Sequence, residues 1–388
     1  MQRLMTSAVA RLGIGIFSLL ASGAAGAEPK AAAVPSGPGP NLVAASGPVD
    51  VVAGDPRGPA DLTICSQNLK LFGTLDEVKR RNPRFTEGEL RQKVDDLVRR
   101  FHVVRCDVIA LQEVLAKNQA EGEAALKPLI EALRARSGRS FEARVGPPGD
   151  GGMALGFLVA QDRASVLNML SYARVELPKL TPKQRPRIFS RTPLEVQLSV
   201  KSREGDLTKV VTVVNFHLKS KRGGEGDPTG LEWETFRMEM AEGFRKIIEV
   251  RHQDAFASGS SILVVLGDRN SDFDVASAKI LEGSLNLASF QQEGGCRVSK
   301  RGVPVCQSGK SMPQRLFSVV TSNSEVATYP GTFEYKGEYS WLDDILMPAE
   351  SLPYAWVSPS SEAKYNSGVV SQPQGASDHS MVWAKLNW

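Results

Sequence analysis

The chain is poor in several residue types, and each scarcity narrows what it can be. Aromatic side chains make up 7% of its 388 residues, and there are only four cysteines and four histidines. None of the cysteines has zinc-ligand spacing, which argues against a structural zinc module. Neither a Gly-X-Y period nor sustained heptads occur, so collagen-like and coiled-coil architectures are excluded. No apolar run is long enough to cross a bilayer. Charge of one sign is not in excess either. Forty-seven basic residues face 43 acidic ones, a formal +4 that does not by itself argue for a nucleic-acid partner. What the chain does have is a 41% hydrophobic share, ample for a buried core.

The first 27 residues read as a secretory signal. Arg3 and Arg11 supply the positive region, Leu12 to Leu20 the short apolar stretch, and Ala25-Gly26-Ala27 the small residues before cleavage. Removing them takes away two positive charges and no acid, leaving +2. Localisation is therefore expected to be secreted or periplasmic, with no membrane anchor retained. Residues 28–60 hold seven prolines and five glycines and read as a flexible leader. In an oxidising compartment Cys65, Cys106, Cys296 and Cys306 could form two disulfides, with three connectivities open. Cys296 and Cys306 bracket a short loop that a bridge could close, whereas Cys65 and Cys106 fall on apolar runs that suit buried free thiols equally well.

From Asp61 onward, short β-rich runs alternate with longer amphipathic stretches, predicting one layered α/β domain over 61–388. Strands are expected at 62–69, 107–114, 154–160, 194–200, 210–218, 262–267, 341–347 and 380–386; helices at 86–104, 117–136, 231–256 and 272–282. Continuous runs such as VIAL and ILVVLG suit strands covered on a helix-bearing face. Thr86 with Glu89 forms a capping-box signature ahead of Leu90, Val94, Leu97, Val98 and Phe101. Two loops, 177–193 and 296–315, carry five basic residues each and no acid. Such loops are usually just solvated, but beside a phosphate-handling site they would collect a polyanion.

Polar groups interrupt or end the apolar runs at six places. Asn68 follows LTICSQ, Glu113 ends DVIALQE, His217 ends VVTVVNFH, and Asp268 with Asn270 ends ILVVLGDRN. Asp343 opens LDDIL, and Ser377-Asp378-His379 precedes the last strand. A carboxylate at the end of an apolar run is unfavourable unless solvated, paired or metal-bound. Carboxylate oxygens and Asn carbonyls suit a hard divalent cation, and a histidine beside a carboxylate can accept a proton from water. The set fits metal-assisted hydrolysis of a phosphate ester.

In this order the motifs Asn68, LQE, HLKS, GDRN, LDDIL and SDH resemble the endonuclease/exonuclease/phosphatase superfamily, over about Leu62 to Leu386. Its members include pancreatic-type deoxyribonucleases, abasic-site endonucleases, neutral sphingomyelinases and inositol-polyphosphate phosphatases. The HLKSKRGG run, followed by Arg237, looks most like secreted bacterial nuclease-like members. The resemblance implies a four-layered α/β sandwich, two mixed β-sheets face to face with helices outside. It implies Mg2+ as cofactor (Mn2+ or Ca2+ as alternatives), with Glu113 the principal ligand and Asn68 and Asp378 further direct or water-mediated ones. Asp343 would orient His379, which activates water or stabilises the attacked phosphate. Asp268 and Asn270 would position the nucleophile and a phosphate oxygen, and His217 would stabilise the phosphate or protonate the leaving oxygen. Arg191 in FSRTPL, Lys219 in HLKS and Asn270 would contact substrate.

Two residues depart from the common pattern. Arg269 replaces a frequent aromatic and is expected to alter the substrate wall, and Gln67 replaces an aromatic or threonine. Asp344 is assigned the role of a polar strand residue, His102 and His252 no role beyond helix ends, and Trp341 a packing role. The leading expectation is a monomeric, exported nuclease acting on DNA or RNA. The alternatives are a sphingomyelinase-like phospholipid diesterase, with Tyr329 to Tyr339 as its nearest membrane-facing candidate, a phosphomonoesterase, and a non-catalytic binding module.

Overall fold

The computed structural model describes residues 50–52, 55–221, 231–258, 261–307, 315–326, 328–357, 364–371 and 376–388. The expected signal at 1–27 and most of the leader lie outside these residues. The strands are β1 (Asp50–Val52), β2 (Leu62–Phe72), β3 (Val108–Leu115), β4 (Phe141–Val145), β5 (Met153–Ala160), β6 (Ala164–Ser171), β7 (Leu194–Lys201), β8 (Thr208–His217) and β9 (Ile262–Asp268). They continue with β10 (Cys296–Val298), β11 (Pro304–Cys306), β12 (Leu316–Ser318), β13 (Phe333–Tyr335), β14 (Glu338–Ser340), β15 (Asp343–Pro348), β16 (Ser367–Ser371) and β17 (Met381–Leu386). The helices are α1 (Leu75–Arg81), α2 (Glu87–Val104), α3 (Gln119–Ala125), α4 (Lys127–Ser137), α5 (Glu234–Arg251), α6 (Gln253–Ala257) and α7 (Ala276–Leu281).

A seven-stranded sheet runs β1-β16-β17-β2-β3-β5-β4, and a six-stranded sheet runs β12-β15-β9-β8-β7-β6. Each is antiparallel except for one parallel pair, β2 with β3 and β8 with β9. Parallel neighbours need a crossover, and α2 and α5 lie in those two crossovers. Three apolar clusters separate the layers. Leu62, Ile64, Val108, Val211, Val213, Val264 and Leu266 meet between the sheets. Leu97, Phe101, Leu129 and Trp383 pack α2 and α4 on the first sheet, and Phe244, Ile248, Val265 and Ile280 pack α5 and α7 on the second. The result is the expected four-layered sandwich. Strands apolar on both faces, such as β9, are buried along their whole length.

Local chemistry explains where the elements start and stop. Thr86 and Glu89 form the reciprocal capping box of α2, and Arg105 ends that helix in the left-handed region. The single helix expected at 117–136 is two, α3 and α4, because Pro128 lacks an N–H and fits only the first turn of a new helix. The helix expected at 272–282 is confined to Ala276–Leu281, and that at 231–256 breaks at His252. The leader is not wholly free, which corrects the boundary at 60. Its residues Asp50–Val52 pair with β16, and Lys385 Nζ donates to Asp55 O and Gly58 O at 2.9 and 2.6 Å.

Both disulfides form. Cys296–Cys306 closes the β10–β11 hairpin, and Cys65–Cys106 ties β2 to the entry of β3. A bridge spanning 41 residues stabilises by about 4 kcal/mol on the chain-entropy model. Among the described residues no helix is long and apolar enough to cross a membrane.

Candidate active site

The site follows from strand parity. Side chains alternate faces along a strand, so the inter-sheet columns are Leu62, Ile64, Ser66 and Asn68 on β2; Val211, Val213, Asn215 and His217 on β8; and Ile262, Val264, Leu266 and Asp268 on β9. Each column is apolar in the middle and polar at its carboxyl end. Open α/β sheets gather ligands at the carboxyl ends of parallel strands, and Asn68, Glu113, His217 and Asp268 all lie there. Asp343 begins the antiparallel β15 opposite Asp268, and His379 shortly precedes the antiparallel β17, which brings both to the same edge.

Asp268 is the hub. Its Oδ2 lies 2.9 Å from Asn68 Nδ2, 3.3 Å from Asn270 Nδ2, 3.4 Å from His217 Nε2 and 3.9 Å from His379 Nε2. Oδ1 accepts the Asn270 backbone N–H at 2.7 Å. His379 Nδ1 sits 2.8 Å from Asp343 Oδ2, the pairing expected from LDDIL. Asp343 Oδ1 is buried with no hydrogen-bond partner. Burial and the neighbouring Asp343 push Asp268 upward, against the pull of His379. Burial alone would lower His379, but Asp343 and Asp268 outweigh it and hold the imidazole well above its ordinary value. His217 goes the other way: burial, then Arg191 and His379, keeps it neutral.

Glu113 belongs to the same edge. It occupies the left-handed region at φ 61° where β3 slips register against β5 between Leu111 and Val114. Such a conformation in a residue with a long side chain costs of order 1–3 kcal/mol and persists only where the surroundings enforce it. The bulge leaves Glu113 partly exposed, with Oε1 3.3 Å from Asn68 Nδ2 and Oε2 accepting the Leu71 N–H at 3.0 Å. Asn68 presents its amide nitrogen to Glu113 and Asp268 and takes the Lys70 N–H on its oxygen at 2.9 Å. Asp378 lies beside Lys70, 3.4 Å from its ammonium. Among the described residues, the one cluster of three ligand-type side chains with atoms within 4.8 Å of one another is Asp268, Asp343 and His379.

Among the described residues, Arg191 is a buried guanidinium without a carboxylate partner. Its nearest polar contacts are Ser190 Oγ at 3.4 Å and Met153 Sδ at 3.9 Å, and its Nε has none. Burial lowers its pKa, and the charges it feels most are those of Glu113 and Asp268, so it faces the same cleft. Gly149 lets the backbone at Ser190 and Arg191 pack close, since a Cβ there would lie 2.2 Å from Ser190 O. Lys219 lies with its ammonium 4.9 Å from the Trp233 ring centre, lowered by partial burial and then by Arg191. Elsewhere in the first basic loop, Lys179 and Arg187 pair with Glu176 and Glu239. In the second, Gly302 accepts the Ala276 N–H at the start of α7. Its residues 308–314 lie outside the described ones.

Two assignments need correction. Arg269 does not form a substrate wall: it is fully buried, 3.1 Å from Asp344 and 3.7 Å from Glu282, because its side chain points away from the Asp268 column. Asp344 is thus half of a buried ion pair, raised to about 6 by burial against the pull of Arg269. His252 is no plain helix end either, since its Nε2 meets Glu195 at 2.9 Å in the interior.

Sequence reasoning missed the residues that hold the His379 backbone. Arg100 Nη1 donates to His379 O at 2.7 Å and to Gln67 Oε1 at 3.0 Å, while Gln67 Nε2 reaches Asn68 O and His379 O. Ser377 Oγ donates to Asn68 O and accepts the His379 N–H. The available signal was Gln67 itself, an uncharged amide inside an otherwise apolar run. Phe333 at the base of the β13–β14 hairpin bridges His379 through the backbone and lays its ring 4.9 Å from the imidazole.

Comparison with solved structures identifies the class of this architecture. The catalytic domain of human Nocturnin, solved with a bound sulfate anion, matches with a TM-score of 0.50 at 17% identity, covering 87% of this chain and 96% of that one. An endonuclease/exonuclease/phosphatase from Bacteroides vulgatus matches at 12% identity and a TM-score of 0.48, covering 84% and 98%. The chain shares the fold of that Nocturnin catalytic domain. No family model and no curated protein sequence matches it.

Proposed function

We propose that this chain is an exported, divalent-cation-dependent phosphodiesterase that hydrolyses nucleic acid. The observation that carries the reading is the junction of Asp268, His379–Asp343, His217 and Asn270 at one sheet edge, with the unpaired Arg191 guanidinium facing the same cleft. Buried anionic oxygens beside a buried cation that has no carboxylate partner among the described residues suit an anionic substrate that brings its own counter-ion.

The donor set fits a hard cation. Glu113, Asp268 and Asp343 offer carboxylate oxygens, and the buried Asp343 Oδ1 has no partner. Glu113 would hold the ion, with Asn68 and Asp378 as further direct or water-mediated ligands, and Mg2+ suits them best, with Mn2+ or Ca2+ as alternatives. Such an ion would polarise a phosphoryl oxygen and offset charge in the transition state.

The protein's own groups divide the remaining work. Asp268, raised and held by amide and imidazole donors, takes a proton from water. His379, kept positive by two carboxylates, stabilises the phosphate; of its two expected roles, this is the one its environment favours. His217, kept neutral, hydrogen-bonds a phosphoryl or leaving oxygen. Arg191 and Lys219 bind phosphate oxygens, and Asn270 orients them.

Export rests on the apolar leader and on two disulfides, which persist in oxidising compartments. A second reading, hydrolysis of a phospholipid diester, is favoured by one observation: Tyr335 and Tyr339 are exposed on the hairpin whose Phe333 touches His379. Purified protein incubated with plasmid DNA, RNA, sphingomyelin liposomes and a chromogenic phosphate ester, with and without EDTA, separates these. EDTA-sensitive cleavage of DNA or RNA is expected; turnover of liposomes alone supports the second reading, and no turnover of any ester rejects both.

A further inference from the structure

At the opposite end of the sandwich from the candidate active site there is a second cavity, of about 420 Å³. It opens at the amino ends of β2 and β3, where Thr63 and Asp107 lie, between the C-termini of α2 and α4. Its size is that of a small-ligand site. Its floor is apolar, made of Phe101, Leu133 and Phe141, and its walls are cationic: Arg57, Arg105, Arg139, Arg163, Arg203 and Lys385.

Most of that charge has no carboxylate partner. The two acids lining the cavity, Asp107 and Asp162, are both engaged by Arg139. Arg163 donates to the backbone oxygens of Asp61 and Lys201, and Lys385 to those of Asp55 and Gly58. Asp61 spends its carboxylate on the backbone N–H groups of Arg203 and Trp388, and Asp55 on that of Arg57. Among the described residues, the guanidinium groups of Arg57, Arg105 and Arg203 have no hydrogen-bond or ion-pair partner. Helix C-termini carry roughly half a negative charge each, so α2 and α4 offset about one cation. Counting Asp107, Asp162, Asp55 and Asp61 as well, about one positive charge remains uncompensated beside the apolar floor. Burial lowers Lys385 to about 8, against the pull of Asp55 and Asp107.

We infer that this cavity is a second ligand site, separate from the hydrolytic one, for a compact phosphate compound carrying at least two negative charges. Guanidinium forks match phosphate oxygens, and three guanidinium groups without a partner among the described residues offer donors enough for the oxygens of a diphosphate group. The walls come from both halves of the molecule. Arg105 and Arg139 belong to the first sheet's flank, Arg203 to the loop between β7 and β8, and Arg57 to the leader segment. A bound diphosphate would therefore clamp the leader segment and both sheets together.

The test uses the exported protein in EDTA, titrated with ADP, inorganic pyrophosphate and adenosine by calorimetry and by thermal melting. One-to-one binding of ADP or pyrophosphate with a raised Tm is expected, and the stronger of the two shows whether an organic body adds to the diphosphate. The Arg105→Glu/Arg203→Glu double variant should bind at least about tenfold more weakly while melting, unliganded, near wild type. Arg191→Ala, which alters only the hydrolytic cleft, should bind as wild type does. Equal binding by wild type and the double variant, loss of binding in Arg191→Ala, adenosine binding as well as ADP, or no saturation at millimolar diphosphate would each overturn the inference. None of these outcomes depends on whether the other cleft hydrolyses anything.

Discussion

Three buried histidines in this molecule lie against carboxylates, and one of them, His252, stands outside the candidate site. His252 meets Glu195, and Glu195 in turn takes the Tyr172 hydroxyl and lies 3.5 Å from Arg251. Burial opposes ionisation of Glu195, but the hydrogen bonds from His252 and Tyr172 prevail and its pKa is lowered. Charge there is closed on itself. His379 also has its carboxylate, Asp343, but Asp343 keeps one oxygen unpartnered and a further carboxylate, Asp268, faces the other ring nitrogen. A pair whose charges cancel holds the fold together. A cluster left with surplus charge at a strand edge awaits something from outside.

The sharpest break between the two pairs comes from His379→Ala. It should lower kcat by about three orders of magnitude or more while leaving the near-UV circular dichroism intact; retained turnover would place the chemistry elsewhere. Arg191→Ala should follow, with about a hundredfold loss in kcat/KM that Arg191→Lys only partly restores, because a point charge cannot replace a fork. His252→Ala should do the opposite. It strands Glu195 in the interior and destabilises by about 3 kcal/mol in urea unfolding, with turnover per folded molecule unchanged. A fall in turnover without a fall in stability would erase the distinction between the pairs.

The smallest effect concerns a buried ammonium that donates to backbone carbonyls. Lys385 titrates at about 8 in the folded chain against its ordinary 10.5. Between those values the unfolded chain holds a proton that the native state has released, so stability rises with pH across that window and the penalty is complete below it. Lys385→Met should flatten the slope of unfolding free energy between pH 8 and 10.5. An unchanged slope would mean another group titrates there.

That these polar residues gather at one sheet edge was legible in the sequence because they interrupt or end apolar runs, and the capping box of α2 was legible because it is local. What the sequence concealed was non-local. Glu113 leaves the β3 ladder through a bulge that no propensity marks, and Arg269 looks like a loop cation until its partners Asp344 and Glu282 are seen. β6 escaped notice because ASVLNMLS is half exposed and alternates poorly, and β1 because it borrows its ladder from β16, more than 300 residues on. The Cys65–Cys106 bridge was undecidable from spacing, since Cys65 pairs in the ladder with Ile109 and meets Cys106 only where the turn from α2 enters β3.

The parity of β9 has a consequence for how this chain can change. Ile262, Val264, Leu266 and Asp268 share one face, while Leu263 and Val265 hold the other. Deleting one residue upstream of Asp268 within the strand would swap the faces, turning the carboxylate toward the helices and dismantling two hydrophobic layers in the same stroke. Point replacement can tune such an architecture, but insertions and deletions must accumulate in the connections outside the strands.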